Sequence, residues 1–132
     1  GDDVVIRTGK LNHPNGACGY RIEFQDKAIA ICTDTEHYED RIDESVVTLA
    51  QDADVMVYDS AYTPEEYAKF KGWGHSTWEE AVKVAEAANV KQTFLFHHDP
   101  SHSDETMDMI GKQAASRREG VRPAVEGEEI EL

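Results

Sequence analysis

The side chains whose types and spacing suggest chemistry are a few histidines and carboxylates, each placed where an apolar run stops. Asp34 closes Ala28-Ile29-Ala30-Ile31-Cys32-Thr33, Asp59 closes Val55-Met56-Val57-Tyr58, and His97 follows Phe94-Leu95-Phe96. His13 stands before the turn-forming Pro14-Asn15-Gly16. A carboxylate at the C-terminal edge of a buried strand is costly unless something pairs with it. That edge is also where open α/β sheets hold their ligands. Imidazole and carboxylate together suit a divalent transition metal. Asp34 is therefore read as a metal ligand, with His13 and His97 reaching the same place from two other strand ends.

Two further residues extend the set. His75 lies just before Ser76, at a predicted helix start, where it suits contact with an anionic substrate oxygen. Asp59 is placed to accept its other ring proton and orient it. Around His97, the run His97-His98-Asp99-Pro100-Ser101-His102 is the densest histidine cluster. Neighbouring strand residues face opposite ways, so His97 is assigned to the site, while His98 and His102 shape the loop. A separate site built from His97, His98 and His102 is the alternative. Taken singly, each residue has a plainer reading: His13 as a solvated loop histidine, Asp34 as a turn former, Gly74-His75-Ser76 as a helix entry. Recurrence at one topological position favours the functional reading. Glu36 and His37 are expected at the surface, and Tyr62, Tyr67, Trp73 and Trp78 in packing.

The elements that must position these residues follow from pattern. Val4–Thr8 reads as a short strand and Gly19–Phe24 as a half-buried one, with Tyr20, Ile22 and Phe24 on one side. Gln25-Asp26-Lys27 turns it into the 28–33 strand, making a hairpin whose open end carries His13 and Asp34. Residues 40–53 predict a helix with Ile42, Val46, Leu49, Ala50 and Ala53 on one face. Strand 54–59 follows. Thr63-Pro64-Glu65-Glu66 opens a short helix, and Ser76-Thr77-Trp78-Glu79 opens another that stops near Asn89. Strand 91–96, a helix capped by Ser103, and an edge strand over 121–125 complete the chain; 126–132 is expected to be loose. The pattern predicts an α/β layer, one region from 1 to 132, with a mixed sheet and helices mainly on one face.

Composition narrows the partners. The 132 residues carry 13 basic and 27 acidic side chains, a net charge of −14, which disfavours a long nucleic acid. No apolar run is long enough to span a membrane. The start, Gly1-Asp2-Asp3-Val4, lacks the basic and apolar regions of a signal peptide. Cys18 and Cys32 have no metal-type spacing and are read as free thiols in a reducing cytoplasm.

Together these residues resemble the second half of a metallo-β-lactamase-fold hydrolase, in the branch of ribonuclease Z and small phosphodiesterases acting on cyclic nucleotides or cyclic phosphates. The resemblance rests on His13-Pro14-Asn15-Gly16-Ala17-Cys18-Gly19, Ile31-Cys32-Thr33-Asp34-Thr35, Gly74-His75-Ser76-Thr77 and Phe94-Leu95-Phe96-His97. It implies two divalent metal ions, zinc or manganese. Asp34 would bridge them, His13 would complete one site and His97 the other. His75 would act on the scissile phosphate with Asp59 as its supporting acid. The family signature His-x-His-x-Asp-His is absent from these 132 residues. The chain is therefore expected to be the C-terminal half of the αβ/βα sandwich. Alone it should be inactive, and its exposed apolar face should drive self-association or pairing with the missing half. The expected substrate is a small phosphodiester. A lactonase or thioesterase of the same fold, and a metal-free signalling or assembly module, are the rivals.

Overall fold

The computed structural model describes residues 2–132. Its centre is a six-stranded sheet in the order β1-β2-β3-β4-β5-β6, formed by Val4–Leu11, Ala17–Phe24, Lys27–Cys32, Val55–Asp59, Gln92–Phe96 and Val121–Pro123. The first three strands are antiparallel and the rest run parallel to β3. A short turn joins β2 to β3. Parallel neighbours need longer crossovers, and these supply helices α1 (Glu44–Ala50), α2 (Pro64–Phe70), α3 (Trp78–Ala87) and α4 (Asp104–Arg117).

Strand alternation divides the sheet into two faces. Ala28, Ala30 and Cys32 of β3, Met56 and Tyr58 of β4 and Leu95 of β5 enter one core with Val46 and Leu49 of α1, Ala81, Val82 and Ala85 of α3 and Ile110 and Ala114 of α4. Small residues on β3 let the helices approach closely. So does the register pair Gly9–Gly19, because a Cβ on either would lie 2.9 or 2.8 Å from Leu49 Cδ1. The other face aligns Ile6, Ile22 and Ile29, and beside them Tyr20, Ile31, Val57 and Phe94. Near β5, Val125 and Ile130 border a cleft over it. Much of this face stands open: Ile6 is 60% exposed, Phe96 45%, and Tyr20 and Phe24 just over 40%. The side of β2 carrying Tyr20, Ile22 and Phe24 thus faces away from the helices.

Several boundaries differ from the sequence expectation for physical reasons. Helix α1 begins only at Glu44, because the Asp43 carboxylate caps it by accepting from the N–H of Ser45 and Val46; Ile42 is left exposed. Helix α3 is capped by Thr77, not Ser76, since the Ser76 hydroxyl is committed to the Thr35 carbonyl and the His37 N–H. The last strand stops at Pro123. At the rim opposite the strand C-termini, Asp54 accepts from Lys91 and the Ala28 N–H, which hold its carboxyl below the ordinary value.

Candidate functional site

The C-terminal rim of the sheet gathers the four residues picked out by position. Asp34 follows β3 and His97 follows β5, both in the left-handed region at φ 56° and 63°. Only a minority of non-glycine residues adopt this conformation, Asp and His more readily than most. For His97 it ends the strand alternation at that residue, so the turn and not the pleat sets where the ring points. His97 Nε2 lies 3.6 Å from Asp34 Oδ1. The His75 ring stacks on His97 with centroids 4.3 Å apart, and His13 meets His75 edge-on at 5.5 Å.

Hydrogen bonds fix which nitrogen of each ring faces the centre. His75 Nδ1 lies 2.7 Å from Asp59 Oδ2, so Nε2 is the open atom. His13 Nδ1 donates to the Pro14 carbonyl at 2.9 Å, which leaves Nε2 as an acceptor. Asp59 is fully buried, and its carboxylate also receives the N–H groups of Thr35, Ala61 and Ser76. Burial holds the Asp59 carboxyl above its ordinary value, although the His75 hydrogen bond and charge oppose the shift.

Ligand atoms of His13, Asp34 and His75 lie within 4.8 Å of one another, and so do those of Asp59, His75 and His97. Asp59 is already saturated by N–H donors, which suits an orienting acid better than a ligand. Asp34 has no such commitments: its side chain is 49% exposed, and its distance to His97 exceeds a hydrogen bond. Two imidazoles, His13 and His75, and the free Asp34 carboxylate form one set that fits a divalent ion, whereas His97 falls in the other set, beside Asp34. A complete site would need more donors than these.

Glu36, expected at the surface, is half-buried, two residues after Asp34. Its carboxylate accepts from Tyr67 Oη at 2.6 Å, from Gly72 N–H at 2.9 Å and from Gly74 N–H at 2.8 Å. The signal in sequence was slight: two glycines spaced around Trp73, at φ +87° and +96° in the structure. His37 is also partly buried, with its ring against Tyr67. Trp73 packs edge-on against Phe70 but stays 64% exposed, whereas Trp78, Tyr62 and Tyr67 are buried. His102 bonds Glu66 at 2.9 Å and His98 approaches the Ala124 carbonyl, so neither joins His97 in a three-histidine site.

Residues 4–98 match the family described as Beta-lactamase superfamily domain. The chain belongs to that family. Its curated relatives include the ribonuclease Z of Gemmatimonas aurantiaca, 30% identical over 132 residues, which covers all of this chain and 40% of the relative. Among solved structures, the metallo-β-lactamase fold protein YhfI from Bacillus subtilis superposes with a TM-score of 0.75 at 19% identity, over 92% of this chain and 46% of that one. A diphosphatase of the PhnP family gives 0.70 at 18% identity, over 100% and 47%. The chain thus carries the metallo-β-lactamase fold, resembles the ribonuclease Z branch and spans less than half the length of these proteins. None of its helices, among the described residues, is long and apolar enough to cross a membrane.

Proposed function

We propose that this chain supplies the C-terminal half of a metal-dependent phosphodiesterase whose substrate is a small phosphodiester such as a cyclic nucleotide. The observation that supports this best is the meeting of His13, Asp34, His75 and His97 at one rim, with Asp59 on the far nitrogen of His75. His13, Asp34 and His97 would hold two divalent ions, zinc or manganese. Such ions, when bound, neutralise charge on a phosphate and acidify water. The chain's own part in the chemistry is to orient His75. With Nδ1–H given to Asp59, the Nε2 side of a protonated ring donates to a phosphoryl or leaving-group oxygen, and the leaving oxygen departs with that proton. The net charge of −14 supports a small substrate over an RNA, although a relative is named ribonuclease Z.

Three protein ligands for two ions are too few. Together with the open apolar face, this supports a second αβ layer on the sheet, contributed by a His-x-His-x-Asp-His segment outside these residues, and self-association of the chain when that layer is missing. The test is turnover of bis(p-nitrophenyl) phosphate, a cyclic nucleotide and a precursor transfer RNA with added zinc or manganese. It is run for residues 1–132 and for a protein that also carries the signature segment. The reading expects hydrolysis of the small diesters by the second protein and none by the first. Robust turnover by the first would refute the division of the site, and preference for the RNA would refute the substrate.

A further inference from the structure

We propose that Glu36 is a positioning residue for this site: its backbone bonds to the loop that carries His13, its carboxylate bonds to the loop that carries His75, and Asp34 lies two residues before it. The inference rests on the metal-site reading above for its consequence, but not for its geometry.

Glu36 reaches each loop by a different route. Asp34 lies two residues upstream on the same stretch. Toward His13, Glu36 is tied by its backbone in both directions: its N–H donates to the Asn12 carbonyl at 2.8 Å, and Asn12 Nδ2 donates to the Glu36 carbonyl at 2.9 Å. Toward His75, the carboxylate takes the N–H groups of Gly72 and Gly74. The left-handed glycine conformations there turn these two N–H groups toward one point, while the Trp73 N–H between them donates to the Phe70 carbonyl. Burial would raise the carboxyl, but the bonds from Tyr67, Gly72 and Gly74 hold it below the ordinary value.

The same loop also backs His13. A Cβ on Gly74 would lie 2.5 Å from His13 Cδ2 and 2.8 Å from His13 Nε2, the atom left free for a ligand. The Gly74 backbone is therefore a wall against the imidazole. Movement of the loop would displace His75 and release His13 together. Glutamine cannot replace Glu36, because it offers one acceptor oxygen and turns an NH2 toward an N–H donor.

The test compares residues 1–132 with Glu36→Gln, and with Val84→Ala, a cavity in the buried part of α3, as a control for lost stability. Ring-nitrogen NMR on metal-free protein reads tautomer and order at His13 and His75, and calorimetric zinc titration reads affinity. The wild type should show one ordered Nδ1–H tautomer at His13. Glu36→Gln should mix tautomers or broaden both rings, and should weaken zinc by about tenfold or more, the usual cost of losing a residue that orients ligands. Val84→Ala should lower the melting temperature while leaving the rings and zinc affinity unchanged. If Glu36→Gln melts lower but keeps ring signals and affinity, its role is structural and the proposal is overturned. If it fails to fold, Tyr67→Phe removes one donor and leaves the carboxylate: smaller changes in the same readouts support the proposal, and unchanged readouts overturn it. If neither residues 1–132 nor the protein that also carries the signature segment binds zinc or manganese, the metal reading fails and the ring signals alone decide the positioning role.

Discussion

The Nδ1 atom of His75 stands 2.7 Å from Oδ2 of Asp59, a carboxylate that also receives N–H groups from Thr35 and Ser76 on two different loops. One buried group therefore fixes the tautomer of the ring and the spacing of the loops around it. Asp59→Asn keeps the shape but sets an NH2 against several donors. It should cost about 1–3 kcal/mol of stability, the penalty for stranding buried polar groups. Turnover by the complete protein should also fall, by about 10–100-fold. Thermal melts and single-substrate kinetics check both. An Asp59→Asn protein with native turnover would remove Asp59 from its role.

His75 belongs to both candidate ligand sets, so its part must be separated from that of His13. With Nδ1 engaged by Asp59, only Nε2 is open, and the proposed use of that atom is toward substrate. His75→Ala should then lower kcat by about 10²–10⁴-fold, the span of lost general-acid catalysis, while retaining bound metal. His13→Ala should lose metal. Elemental analysis of the two variants decides; loss of zinc from His75→Ala would make that residue a ligand.

Much of this was legible because it depends on short-range pattern. Apolar runs broken by Asp34, Asp59 and His97 located the strand ends, and the parallel topology brought those ends to one rim. What stayed hidden depends on backbone groups from far away. Glu36 looks like a surface acid until the Gly72 and Gly74 N–H groups close on it from 36 and 38 residues downstream. Ser76 looked like a cap because its bonds to Thr35 and His37 are tertiary. The outward side of Tyr20, Ile22 and Phe24 could not be told from alternation, since a period of two identifies faces without saying which one the helices cover.

The Glu36 bonds predict an acid limit to stability. The carboxyl sits below its ordinary value in the folded state, so the unfolded chain takes up the proton first as pH falls. The stabilisation is fully present above the ordinary glutamate value and is lost as pH drops through the folded one. Melting temperature followed downward from pH 6 should fall more steeply for wild type than for Glu36→Gln. Parallel slopes would show that Glu36 is not a source of the acid sensitivity.

Leu49 rests on the glycine pair Gly9–Gly19, where a Cβ at position 19 would come within 2.8 Å of its Cδ1 and 3.0 Å of Leu11 Cδ2. Gly19→Ala should destabilise by about 1–3 kcal/mol through overpacking. Leu49→Val withdraws part of the obstructing side chain, so Gly19→Ala should cost less in that background. Denaturant melts of the four proteins form the cycle. Strict additivity would mean that the Leu49 contact is not the cause.

The two cysteines should differ sharply in reactivity. Cys18 is exposed on β2, while Cys32 is fully buried at the end of β3. Burial, assisted by the charge of Asp43, pushes the Cys32 thiol up to about 12, so its reactive thiolate is scarce at neutral pH and shielded as well. A thiol reagent should therefore modify one group per native chain quickly, and Cys18→Ser should abolish that phase. Cys32 should react only when the structure opens. Because Cys32 lies between the core and the loop carrying Asp34, its slow rate measures local opening at the base of the site. Metal binding that orders this loop should slow it further. A fast second phase in native protein, surviving in Cys18→Ser, would show that the end of β3 is loosely held and ill-suited to fixing Asp34.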